Sequence, residues 1–485
     1  YFYIVLIFIS SIFFNFYSGY RGIFPLDSFA IYDGGYKVFN GFHPFKDYWS
    51  ITGPLLDYLQ YFFFKLFGIN WFSYVLHSTT LNILVSVTLF YLLLILGLEK
   101  IYCFFYAFCC SILAYPSAGT PFMDHHAVFF SLISVMFLLL SIKKNQGRFW
   151  FLVPIFLFAS FLSKQIPSTY FLILFTINFF LVIFLLQKKN FRFLLFLILG
   201  GIIPLLITIS FFIINGIPFK NFLVQYIFYP YEIGIERNSK ISLDLNNIIL
   251  RFKFIYLSLI PLFIVFFSLI KKKLFLKNEI KKDLLIIGLT CISTLIFIYT
   301  QILTKNQILI FSLIPFCLGI SHFYIQKYYN KKIIINLILI LLIFSTFKFH
   351  LRFNENKKFM EFRNTNFNLA VDAKILDESI KGLNWISPKY QDNPTYEIKL
   401  LKQIKEKIIL DSTNKIIISD YQILPSVTKI KNTAPNKWFD ELSVPNKDNK
   451  FFSLYKEFFT RKLIQQNIQV LYIIGEKDFF LKDIF

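Results

Sequence analysis

Long apolar runs alternate with short polar loops through the first 350 residues. A helix needs about 20 mostly apolar residues to cross a bilayer. On that measure spans are predicted near residues 1–19, 71–96, 101–116, 126–142, 149–163, 166–186, 193–214, 252–270, 284–303, 308–326 and 333–348, about eleven in all. The loop at 20–70 breaks the rhythm. Asp27 is expected to cap a helix over 28–39, with Phe29, Tyr32, Tyr36 and Phe39 on one face. Asn40-Gly41 marks its end. A second helix is predicted from Pro54 to Phe67, closed by Gly68, with Leu55, Leu59, Phe62, Phe63 and Leu66 as its apolar stripe. Neither can cross, and both are expected to lie along the membrane surface.

The pattern changes after residue 349. Lys, Asn and Asp become common, and two short β-type runs appear, Ile416–Ile418 and Val470–Ile474. Amphipathic helical stretches are predicted at 395–409 and 452–467. The expected fold class is therefore an all-α polytopic membrane protein with two surface helices, followed by a small α/β domain. The division falls between a transmembrane unit at 1–349 and an extracytoplasmic unit at 350–485.

Composition agrees with that pattern. The chain of 485 residues is 56% hydrophobic, outside the range of soluble domains. Its net charge of +22 lies largely in short loops, which argues against nucleic acid as a partner. Lys100, Lys143, Lys144, Arg148, Lys188, Lys189, Arg192, Lys271–Lys273, Lys277, Lys281, Lys282, Lys327, Lys331 and Lys332 all fall in one alternate set of loops. Cytoplasmic loops carry that bias. The N-terminus is then inside, and the loops at 20–70, 117–125 and 215–250 face outward with the tail. Residues 1–18 read as a first span, because no small-residue cleavage site follows them. All five cysteines lie in apolar runs without a CxxC pair, so neither a disulfide framework nor a zinc site is predicted.

Charged groups beside hydrocarbon are costly and mark candidate chemistry. Asp27 and Asp33 are the first pair; their bland readings are a helix cap and a solvated acid. Spaced six residues apart on a helix, they point about 240° apart, so one of them is the working acid. Asp124-His125-His126 opens the fourth span, where an acid and two imidazoles could hold a divalent metal, position phosphate or move a proton. The bland alternative is a polar helix start. Lys164 and Arg237 are candidates for binding phosphate, as is Lys305, although a lysine at such depth can also snorkel. The aromatics at 226–231 suit an ordinary interfacial belt. His43, His77, His322 and His350 are read as structural.

Taken in order, these motifs resemble the GT-C superfamily of membrane glycosyltransferases, in particular its RgtA-like and protein O-mannosyltransferase-like members. The resemblance rests on Asp27, Gly41, Pro44-Phe45-Lys46-Asp47 and Gly53-Pro54-Leu55 in the first outer loop, then Asp124-His125-His126 and Lys164-Gln165. It covers roughly residues 1–350. Many members have Asp-Glu where this chain has Asp27-Ser28. The resemblance implies an inverting sugar transfer from a polyprenyl-phosphate-linked donor. The acceptor would be a hydroxyl of a glycan, lipid or protein on the outer face of a bacterial inner membrane. It implies Asp27, helped by Asp33, as general base. Lys164, Arg237 and Lys305 would meet the donor phosphate, and Asp124, His125 and His126 would position the acceptor or a metal. A divalent cation, Mg or Mn, held by Asp124 and His125, is the one cofactor it leaves open. The rival readings are a transporter or flippase of lipid-linked glycans, a glycan polymerase or ligase, and a binding tail on a membrane anchor.

Overall fold

The computed structural model describes residues 1–114, 119–186, 192–239, 244–271, 277–304, 310–357, 362, 365–475 and 481–484. Lys305 and Lys240 lie outside them. The chain is mostly helical. In order, the helices are α1 (Phe2–Gly19), α2 (Pro25–Phe39), α3 (Leu55–Phe67), α4 (Trp71–Leu96), α5 (Lys100–Leu113), α6 (Met123–Lys144), α7 (Gly147–Ser163), α8 (Ser168–Leu186), α9 (Arg192–Ile214), α10 (Phe219–Phe222), α11 (Tyr229–Ser239), α12 (Lys253–Lys271), α13 (Asn278–Thr304), α14 (Leu313–Tyr328), α15 (Lys332–Phe349), α16 (Pro394–Leu410), α17 (Leu424–Val427) and α18 (Phe452–Gln465).

A helix stands at each of the predicted spans, but the count of crossings differs. Seven helices among the described residues are long and apolar enough to cross: α1, α4, α6, α9, α12, α13 and α15 with its extension to Glu355. Lys100–Leu113, Gly147–Ser163 and Ser168–Phe184 are shorter apolar helices of 10–17 residues, and α14 has 16 residues. At about 1.5 Å per residue these fall short of a hydrocarbon layer roughly 30 Å thick. Burial divides the bundle. In α6, 94% of the apolar window is buried, against 11% in α9. An apolar helix buried on every side forms a core, and one left bare faces lipid. Hydroxyls join α6 to α7: Ser131 and Ser160 meet at 2.8 Å, and Ser134 Oγ donates to the Val153 carbonyl at 2.6 Å. Small polar residues of this kind let membrane helices approach closely.

The first loop departs from expectation in two ways. The N-cap of α2 is Phe24, and Asp27 sits inside the first turn, where the helix dipole favours a carboxylate. Helix α2 is also buried from Ser28 to Val38, because α3 covers one side and the tail another. It is therefore covered by protein rather than left bare. Gly34 makes the α2–α3 approach possible: a Cβ there would sit 2.2 Å from Asp57 Oδ1. Helix α3 keeps the expected character, with Phe62, Leu66 and Phe67 exposed.

The tail holds β1 (Val371–Asp372) antiparallel to β2 (Asn384–Trp385), and β3 (Lys415–Ser419) parallel to β4 (Val470–Ile474). Parallel strands require a crossover; here it runs through α17 and α18. Strand β3 is buried throughout, as its Ile416–Ile418 run dictates. The tail is fastened to the first loop. Lys437 Nζ pairs with Asp57 Oδ1 at 2.6 Å with both side chains buried, and the Tyr48 hydroxyl donates to Asp57 Oδ2 at 2.9 Å. Trp49 exchanges backbone hydrogen bonds with the tail, its N–H to the Pro435 carbonyl at 3.0 Å and its carbonyl from Lys437 N–H at 2.9 Å.

Candidate functional site

Three chain segments bring carboxylates to one place. Asp27 comes from the first turn of α2, Asp124 from the first turn of α6, and Asp420 and Asp440 from the tail. Asp27 is partly buried. Among the described residues, nothing hydrogen-bonds or ion-pairs with its carboxylate. Burial, then the negative charges of Asp124, Asp440 and Asp420, push its pKa up to about 7, against a smaller pull from Lys164. Desolvation disfavours ionisation, and the like charges add to it. The result is a carboxylate that exchanges a proton near neutrality.

Asp124 and Lys164 form the partner pair. Lys164 Nζ meets Asp124 Oδ1 at 2.5 Å, with side chains 17% and 10% exposed. Lys164 is the C-cap of α7, and its position follows from the Gly53-Pro54 turn. Gly53 N–H donates to the Ser163 carbonyl at 3.2 Å. A Cβ on Gly53 would lie 1.8 Å from the Leu162 carbonyl oxygen, so only glycine fits there. The next residue, Gln165, donates to the carbonyls of Ile51 at 3.0 Å and Tyr226 at 2.6 Å. The end of α7 is thus held on both sides.

The Pro44–Asp47 motif is structural. Phe45 is fully buried with φ +68°. Lys46 Nζ donates to the Asn215 carbonyl at 2.8 Å, and Asp47 accepts from His43 N–H at 2.9 Å and from Lys462 Nζ at 3.2 Å. These bonds pin the loop to the end of α9 and to α18.

The structure places Asp33 elsewhere. Its Oδ2 pairs with Lys37 Nζ at 2.8 Å, both side chains 5% exposed, and it sits beside Asp57 and Lys437. It belongs to the clamp between the first loop and the tail, not to the Asp27 group. Arg237 lies on α11; among the described residues no hydrogen bond or ion pair joins it to Asp27, Asp124 or Lys164. His125 packs between Phe122 and Phe129, with ring centroids 6.2 and 5.8 Å away. His126 Nδ1 lies 3.0 Å from the Phe122 carbonyl and its Nε2 lies 3.1 Å from His77 Nε2. His77 is therefore not isolated; its Nδ1 reaches Gln60 at 2.9 Å. If both rings are neutral, one proton order fits. His126 donates to the carbonyl and His77 donates to His126, which leaves His77 Nδ1 as an acceptor; the Gln60 amide, placed with Oε1 toward that nitrogen, must then be turned so that its Nε2 donates. These imidazoles brace α6 against α3 and α4. Among the described residues no group of three or more His, Cys, Asp or Glu could hold a metal ion, so Asp124 and His125 lack a third ligand.

Sequence reasoning missed Asp420 and Asp440. Both follow buried segments of the tail, and nothing local in the sequence points them at Asp27. No protein-family model matches the chain, and no curated protein matches it.

Proposed function

We propose that the protein is a membrane glycosyltransferase of GT-C type, with Asp27 as its general base. The observation that carries this reading is Asp27 itself, a carboxylate poised near neutral pH, unpaired among the described residues, beside a partly buried Asp124–Lys164 pair. A base is most effective when its pKa lies near the working pH. In the reaction, an acceptor hydroxyl gives its proton to Asp27 as its oxygen bonds to the anomeric carbon of the donor. The bond from that carbon to the phosphate oxygen breaks on the opposite face, so configuration inverts and polyprenyl phosphate leaves. Lys164 stabilises the departing negative charge, and Asp124 holds Lys164 in place. No step is assigned to a metal. Asp33 is given no part in the transfer, and Arg237 is not assigned to the phosphate.

The charge bias of the loops supports an orientation with this end of the bundle outside a bacterial inner membrane, with 1–349 as the catalytic unit and 350–485 covering it. A transporter would set its charges near the bilayer midplane, whereas these lie at helix ends. The test is release of polyprenyl phosphate in proteoliposomes supplied with a panel of short-chain polyprenyl-phosphate hexoses and pentoses and with soluble glycan acceptors. Asp27→Asn is expected to abolish release while leaving the protein folded. Full activity in folded Asp27→Asn protein would overturn the reading.

A further inference from the structure

The parallel sheet of the tail ends on an open strand. Strand β4 pairs with β3 along one edge, and among the described residues no third strand takes the other. Strand β3 is buried throughout, whereas every residue of β4 is at least partly exposed, Ile473 by 42%. The strand reads Val470-Leu471-Tyr472-Ile473-Ile474, without charge, proline or glycine. Edge strands are normally blunted by charged residues, proline or a bulge, because their bare N–H and C=O groups pair readily with another strand. This strand carries no such guard, so its edge suits a partner.

The flanking helices narrow the choice of partner. Helix α16 covers one face of the sheet, where Leu401 and Ile408 cluster with Ile417. Asp411, directly after α16, accepts from the Tyr472 hydroxyl at 2.7 Å. Helix α18 covers the other face, where Tyr455, Phe459 and Leu463 cluster with Ile416 and Ile418. Both helices end on bare apolar residues: Ile409 and Leu410 are 54% and 85% exposed, and Ile464 is 74% exposed. An added peptide strand would cover the edge alone. A second copy of this chain would bring its own helix ends beside these and cover them with the edge. The strand also complements itself. Run antiparallel about Tyr472, Val470 of one copy faces Ile474 of the other, and Leu471 faces Ile473. Each cross-strand pair is apolar or aromatic, and no like charges meet.

We propose that the open edge of β4 is a homodimer interface, formed by antiparallel pairing with β4 of a second copy across a two-fold axis. The inference goes beyond the transfer reaction and does not require Asp27 to be a base. The experiment is light scattering from the detergent-purified full chain, with the mass of the detergent subtracted. A dimer is expected. Ile473→Lys, at a position already exposed, is expected to lower the association constant at least tenfold and give monomer. Leu410→Lys decides the matter if Ile473→Lys does not fold. Tyr472 is the position that would face itself, and directly opposed residues of antiparallel strands lie about 5 Å apart, within reach of a disulfide. Tyr472→Cys is therefore expected to give a reducible cross-link between copies, since the five native cysteines are buried. A monomeric parent chain would overturn the proposal. So would a dimer that persists unchanged in the folded lysine variant, or one that Tyr472→Cys does not cross-link.

Discussion

Asp27 shows how one side chain is set by its surroundings. Its pKa of about 7 stands well above the ordinary carboxylate value of 3.8. The folded state therefore holds this proton more tightly than the unfolded chain does. The stability it contributes is complete below about pH 4 and is lost as pH rises through 7, at about 1.4 kcal/mol for each pH step between those limits. Asparagine mimics the neutral acid. Asp27→Asn is thus expected to raise the melting temperature at pH 8, by up to roughly 4 kcal/mol of stability, and to change it little at pH 4. Equal effects at both pH values would show that the carboxylate is not strained. Under the proposed transfer, the same raised pKa is expected to give the pH–rate profile an acid limb near 7, rising with pH because the proposed base must be ionised. Asp440→Asn removes one repelling charge, so that limb is expected to move to lower pH. Asp33 teaches the opposite lesson. An acid beside hydrocarbon suggested catalysis, yet Lys37 one turn later was a visible i,i+4 partner and explains its burial.

At the level of elements, the helices were legible because their signal is local. Apolar runs and their breaks fell within a few residues of the observed ends, and strands β3 and β4 emerged where β-branched runs stood. Length was the weaker guide, since 14 residues in α5 look like a span until the helix is measured. The Gly53-Pro54-Leu55 motif was recognised without its cause. Its glycine lets the loop lie against the carbonyls that end α7, which sets the place of Lys164. Gly53→Ala is expected to push the end of α7 away and lower transfer at least about tenfold, as small misplacements at a reacting centre do. Because the added Cβ meets backbone at 1.8 Å, the folded fraction is expected to fall too, and turnover is compared per folded molecule. Wild-type turnover in that variant would separate the turn from Lys164. The clamp between first loop and tail had no local signal, because Asp57 and Lys437 are 380 residues apart. Replacing one partner leaves a bare buried charge, so Lys437→Met is expected to cost about 3–5 kcal/mol in denaturant titration. Adding Asp57→Leu should recover most of it; no recovery would mean that the loss came from packing.

Across the whole molecule, charge is sorted to two ends. Asp283 near the start of α13 takes Lys327, Tyr324 and Tyr328 as partners at one end, and the Asp27 group gathers at the other. The orientation across the membrane is testable because all five native cysteines are buried and free. A cysteine at Glu406 in the tail should react with an impermeant maleimide in intact cells, and one at Asn145 should react only after lysis. The reverse pattern would put the site in the cytosol. The fastening of the tail over the first loop has a consequence in time. Lys437 is made 380 residues after its partner Asp57, so the clamp cannot form while the first loop alone has emerged. A nascent chain stalled before residue 420 would carry Asp27 without Asp420 and Asp440, the two tail acids that help to raise its pKa.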